Sequence, residues 1–170
     1  MKVLLVVASK HGATQEIAER IRATLEASAL AVDLRAPEGV ETLAGYDAVV
    51  LGSAVYVGRW LGPAKAFAER HRAALLERPV WLFSSGPIGH PPLPAGEPAD
   101  AASLREATGA RGHQLFAGRL DKHALSLGEK VVVAGVRAPE GDFRPWDEVE
   151  AWAATIASTL LTGTPQPSAS

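Results

Sequence analysis

Residues 2–8 form an apolar run behind a single lysine, Lys2-Val3-Leu4-Leu5-Val6-Val7-Ala8, and pass directly into Ser9-Lys10-His11-Gly12-Ala13-Thr14. An apolar run without alternation is what a parallel strand covered on both faces requires. Over 14–28 the apolar residues Ile17, Ile21 and Leu25 recur every fourth position with Ala18 beside them, while Gln15, Glu16, Glu19, Arg20 and Arg22 fall elsewhere. That spacing predicts an amphipathic helix. A buried strand feeding a helix through a short loop commits the chain to a layered architecture, with helices packed on the sheet.

The rest of the sequence repeats the alternation. Residues 30–35 alternate like an edge strand, and 47–52 read as a second strand buried on both faces. A helix is expected over 61–76, with Pro63 in its first turn, where a missing N–H costs little. Residues 79–84 read as the fourth strand, with Pro79 at its first position. The Pro- and Gly-rich stretch 86–96 reads as a loop at that strand's carboxyl end. A short helix over 100–108 and a fifth strand over 113–118 follow. Within 119–144 the run Lys130-Val131-Val132-Val133-Ala134 fits a strand or a short helix, and helix is taken. Trp146, Val149, Trp152, Ala153, Ile156 and Leu160 mark a last helix, with Pro145 at its start and Gly163 after its end. The expected fold is therefore α/β, a doubly wound five-stranded parallel sheet of order 2-1-3-4-5 spanning 1–161, with 162–170 a disordered tail.

Composition removes several functional classes. The 170 residues include no cysteine, so thiolate catalysis, iron–sulfur clusters and cysteine-built zinc sites are excluded, and redox chemistry must come from a bound cofactor. A net charge of −2 without runs of like charge argues against nucleic acid as a partner and gives little support for docking by charge onto a basic protein. The first strand is followed by His11-Gly12 and a charged amphipathic stretch, unlike a signal peptide. No apolar stretch approaches the roughly 20 residues that span a bilayer. A soluble, cytoplasmic protein without an integral membrane segment is expected, its oligomeric state open. Of the histidines, His71 is expected on a helix face, His90 and His123 in loops and His113 at a strand start, with no spacing that suggests a metal site.

In an open sheet of this kind a ligand binds outside the carboxyl ends of the strands at the switch point. Three loops qualify. The first, Ser9-Lys10-His11-Gly12-Ala13-Thr14, joins a strand to a helix N-terminus, carries two hydroxyls and a glycine and has no acidic residue, which suits a phosphate dianion. Equally, Thr14 could be an ordinary cap and Gly12 an ordinary turn residue. It is neither a Walker loop nor a Gly-x-Gly-x-x-Gly fingerprint. The second loop, Ser53-Ala54-Val55-Tyr56-Val57-Gly58-Arg59-Trp60, offers Tyr56 and Trp60 as walls for a flat ring, or as plugs between loop and helix. The third, Ser84-Ser85-Gly86-Pro87-Ile88-Gly89, offers small residues and free backbone groups for a pyrimidine edge.

The first two loops, together with Gly141-Asp142-Phe143-Arg144-Pro145-Trp146 and Phe116-Ala117-Gly118-Arg119-Leu120-Asp121, resemble the flavodoxin-like domain of menaquinone-dependent protoporphyrinogen dehydrogenases. The resemblance covers roughly 1–161. It implies noncovalent FMN, the phosphate on residues 9–14 and the ring between the second and third loops. The implied cofactor contacts are Ser9, Lys10, His11, Gly12, Ala13, Thr14, Ser53, Ala54, Val55, Tyr56, Val57, Gly58, Trp60, Ser84, Ser85, Gly86, Pro87 and Gly89; no catalytic base is implied. It also implies that the Val57–Gly58 peptide faces the flavin and flips on reduction, a motion that glycine eases. The chain departs from the family where Pro145 replaces an aspartate beside Arg144, and where 119–144 is short and valine-rich. Three functions follow: an FMN-dependent oxidoreductase linking a quinone to a small hydrophobic donor such as a porphyrinogen, a flavodoxin carrying electrons between redox proteins, or a binding module that has lost FMN.

Overall fold

A computed structural model describes residues 1–10, 12–86, 98–120, 141–142 and 144–163. Five parallel strands, Lys2–Ala8 (β1), Ala31–Arg35 (β2), Ala48–Tyr56 (β3), Val80–Ser85 (β5) and Gly112–Phe116 (β6), lie in the order β2-β1-β3-β5-β6. This is the expected order 2-1-3-4-5. The additional strand is Arg59–Trp60 (β4), which folds back antiparallel on the end of β3. Helices Ala13–Ala27 (α1), Gly62–Arg70 (α2), Arg72–Leu76 (α3), Ala101–Thr108 (α4) and Trp146–Thr162 (α5) complete the layers. Arg119–Leu120 (β7) and Gly141–Asp142 (β8) form a separate antiparallel pair.

The apolar run of β1 serves two cores. Val3, Leu5 and Val7 join Ile17, Ile21 and Leu25 of α1 and Trp152 and Ile156 of α5 on one face. Leu4, Val6 and Ala8 join Phe67 of α2, Leu75 of α3 and Leu104 of α4 on the other. Strand side chains alternate between faces, so a strand between two helical layers must be apolar at every position. Burial of each large side chain contributes about 1.5–3 kcal/mol. On the α1/α5 side Phe83, Phe116 and Trp152 meet edge-on or tilted, with ring centroids 5.6–6.2 Å apart.

The boundaries differ from expectation in two informative places. β3 runs on to Tyr56, four residues beyond the predicted end, because Val55 and Tyr56 gain cross-strand partners in Trp60 and Arg59. The single helix expected over 61–76 is two helices, α2 and α3, meeting at His71. The His71 side chain is buried, its Nε2 3.3 Å from the Val40 carbonyl and its ring 4.8 Å from that of Phe67. Burial holds its pKa below the ordinary histidine value. The expectations for 130–134, for most of the loop 86–96, for His90 and His123 and for the tail 164–170 lie outside the described residues.

Candidate functional site

Register brings the three loops to one level. Ala8 pairs with Ser53, Ser53 with Ser84 and Ala54 with Ser85, so the loops after β1, β3 and β5 leave the sheet side by side. β1 is flanked by β2 and β3, and the chain departs from it in opposite directions. This is the topological switch point, where a crevice opens between the loops.

The first loop is built for an anion from its backbone. Gly12 precedes α1 with φ +84, a left-handed conformation, and a Cβ on it would meet nothing within 4 Å. Ser9 Oγ accepts a hydrogen bond from the Gly12 N–H at 3.2 Å, closing the turn. Glu16 N–H then donates to the Gly12 carbonyl at 3.1 Å, the first bond of the helix. No side chain caps α1, and among the described residues the N–H groups of Ala13, Thr14 and Gln15 meet no backbone carbonyl. Such donors at the positive end of a helix dipole match a phosphate. Ser9 is half-buried, Lys10 exposed, Ala13 half-buried and Thr14 buried; His11 lies outside the described residues.

The second loop is a tight β-hairpin with Val57 and Gly58 at its tip. Of its two aromatics, Tyr56 stands exposed, with Lys10 Nζ 4.6 Å from its ring centroid, which ties the first loop to the second. Trp60 is a plug: it is 3% exposed, and its indole N–H donates to Ser84 Oγ at 2.7 Å. Ser84 Oγ in turn lies 2.6 Å from His113 Nε2. The Ser53 hydroxyl is also spoken for, donating to the Ala54 carbonyl at 2.8 Å and accepting from the Leu61 N–H at 3.0 Å. The hydroxyls of Ser53 and Ser84 and the indole N–H of Trp60 are thus bonded within the protein. Ala54 and Val55 are half-buried.

The third loop begins on buried Ser84 and Ser85, then Gly86, whose N–H points to the Phe116 carbonyl at 3.4 Å. A Cβ on Gly86 would stand 2.9 Å from Val55, so the second and third loops touch backbone to side chain. Pro87 and Gly89 lie outside the described residues.

Two residues outside the expected cofactor contacts support the hairpin and the start of α1. Asp100, expected only as a helix start, accepts from the Trp60 N–H at 3.1 Å and from Arg59 at 3.3 Å, and lies 3.4 Å from Lys65 Nζ. Ala99 N–H donates to the Gly58 carbonyl at 3.0 Å. Together they clamp the hairpin to the approach of α4. Arg144, just before α5, reaches α1: its side chain is 5% exposed, donates to Glu16 and to the Ala13 carbonyl at 3.4 Å, and lies 4.5 Å from the Trp146 centroid, so it ties the last helix to the first. Glu16 is thereby paired with Arg144. A helix start whose acidic residue is neutralised by a buried arginine stays hospitable to an anion.

Among the described residues no group of three acidic or histidine side chains is arranged to hold a metal, and no helix is long and apolar enough to cross a membrane.

The fold of the chain is shared with a flavodoxin from the domain Archaea (TM-score 0.66, 16% identity, covering 95% of this chain and 99% of that one). It is also shared with flavodoxin 2 of Bacillus cereus (TM-score 0.61, 22% identity, 96% and 100%). Rubredoxin oxygen:oxidoreductase from Desulfovibrio gigas contains the same fold in 36% of its length (TM-score 0.64, 13% identity, 95% of this chain). None of the curated proteins matches significantly in sequence. The model of the flavodoxin domain matches residues 4–145, a span that holds all three loops and the Arg144 brace. The chain belongs to the flavodoxin-domain family, and membership implies FMN as its cofactor.

Proposed function

We propose that this chain is an FMN-dependent oxidoreductase, with the FMN phosphate on residues 9–14 and the ring between the hairpin and the loop after β5. The observation that carries the reading is the start of α1. Among the described residues its first N–H donors meet no backbone carbonyl, Gly12 keeps the turn accessible, and the loop without an acidic residue lies at the switch point beside the exposed Tyr56. The donor set fits a phosphate monoester. FMN supplies the electron transfer when bound; the protein orients it and sets its potential through backbone groups and Tyr56. The proposed acceptor is a quinone and the proposed donor a small hydrophobic molecule of the porphyrinogen class, after the resemblance of the loop motifs to protoporphyrinogen dehydrogenases. The setting is the cytoplasm.

The second reading is a flavodoxin proper, an electron carrier between redox proteins. It is favoured by the coverage of whole flavodoxin chains, 99% of the archaeal and 100% of the Bacillus cereus protein. Anaerobic assay of the FMN-loaded chain with a porphyrinogen and a menaquinone analogue separates the two. Turnover supports the oxidoreductase. Rapid reduction by a flavodoxin reductase without turnover of either small molecule supports the carrier.

A further inference from the structure

The tip of the β3–β4 hairpin adopts a conformation that its own sequence resists. Val55 pairs with Trp60 and Tyr56 with Arg59, which leaves a two-residue loop with Val57 at φ +51 and Gly58 at φ +74. Positive φ at both central positions is a type I′ turn, whose twist matches the strands it joins. Gly58 adopts it at no steric cost. Val57 does not, because a β-branched residue in the left-handed region is a true outlier. Its side chain gains little in return, since it is 66% exposed. The stem imposes the turn through Trp60, Asp100 and the Gly58 carbonyl.

A two-residue turn can reverse its central peptide by turning ψ of the first residue and φ of the second through about 180°, which carries type I′ into type II′. Type II′ places the first residue in a region that is essentially reserved for glycine. Gly58, in the second position, tolerates the change; Val57, in the first, has a Cβ that forbids it. The other escape, negative φ at Val57, turns the loop towards types I and II, which splay the strands and would break the Val55–Trp60 pairing.

We propose that Val57 is a positioning residue that locks the Val57–Gly58 peptide in one orientation. The hairpin then presents the same carbonyl and the same N–H to the crevice in every state of the site. The glycine that seems to free this peptide sits on the wrong side of it. The consequence for a flavin rests on the function proposed above; the lock itself belongs to the polypeptide.

The test is ¹⁵N relaxation dispersion at the Gly58 and Arg59 amides of the full chain, first as apoprotein and then with excess FMN. Wild type and Val57→Ala should give flat profiles, because alanine keeps the Cβ while losing the branched side chain. Val57→Gly should show microsecond-to-millisecond exchange at both amides. Exchange in wild type or Val57→Ala equal to that in Val57→Gly would overturn the proposal, as would a flat profile in Val57→Gly. Since the apoprotein suffices, a chain that fails to bind FMN refutes the flavin reading and leaves this result intact.

Discussion

The two ends of the sheet are built on opposite terms. At the amino end, polar groups are matched to one another: Lys2 N–H donates to Asp47 at 2.7 Å, Lys2 Nζ lies 3.2 Å from Asp33, and the Tyr46 hydroxyl donates to Asp33 at 2.6 Å. At the carboxyl end, the first N–H donors of α1 meet no backbone carbonyl among the described residues, and two residues at the hairpin tip have positive φ. The amino end is closed by side chains. The carboxyl end is held open by a brace one layer down, in which Trp60, Ser84, Ser53 and Asp100 bond to each other or to nearby backbone. Stability is thereby concentrated in side chains that bond within the protein and hold the backbone of the carboxyl-end loops in place.

Removing the brace should have the largest effect. Trp60→Ala takes away a buried ring and the partner of Ser84, and should cost about 3–5 kcal/mol in urea unfolding. A loss below 1 kcal/mol would mean that the hairpin stands without its plug. Asp100→Ala leaves the Trp60 N–H without its acceptor and should cost about 1–3 kcal/mol, together with faster amide exchange at Trp60; unchanged exchange would show that the hairpin is held elsewhere. In the open loop the pattern should invert. Thr14→Val preserves shape, so unfolding should change little, while FMN affinity falls by about 1–3 kcal/mol through the loss of a hydrogen bond to a charged group. Equal affinity would limit the phosphate contacts to the backbone.

The smallest effect belongs to the amino end and depends on pH. The hydrogen bond from Tyr46, then that from Lys2, hold the Asp33 carboxyl below its ordinary range. A carboxyl whose folded pKa is lowered stabilises the fold above its unfolded pKa, and that stability is lost as pH falls through the folded value. Tyr46→Phe should therefore cost about 1 kcal/mol at neutral pH and progressively less as the solution is acidified below the usual carboxylate range. A cost independent of pH would show that packing of the ring, rather than the bond to Asp33, is what Tyr46 contributes.

How much of this was legible in the sequence follows from the range of each signal. β1, β5, the start of β3, the helix α1 and α5 up to its glycine stop are written in local periodicity, and the structure has them where the pattern places them to within a residue. The first loop was legible for the same reason, as Ser9, Gly12 and the start of α1 are neighbours in the chain. The hairpin was not, because β4 is two residues long and exists only by pairing with the end of β3. Nor were the fates of the hydroxyls. The partners of the Ser53 and Ser84 side chains, Leu61, Trp60 and His113, are 8 to 29 residues away. Arg144 meets Glu16 across 128 residues, and only the charge of Glu16, beside a loop otherwise free of acid, hinted at a distant cation.

Whether backbone donors at the start of α1 hold the phosphate of FMN is decided by titrating the apoprotein with FMN and with riboflavin and following flavin fluorescence. The two ligands share the ring and differ in the phosphate. One FMN per chain should bind and quench, with riboflavin at least tenfold weaker. Equal affinities for the two, or no binding of either, would contradict the account.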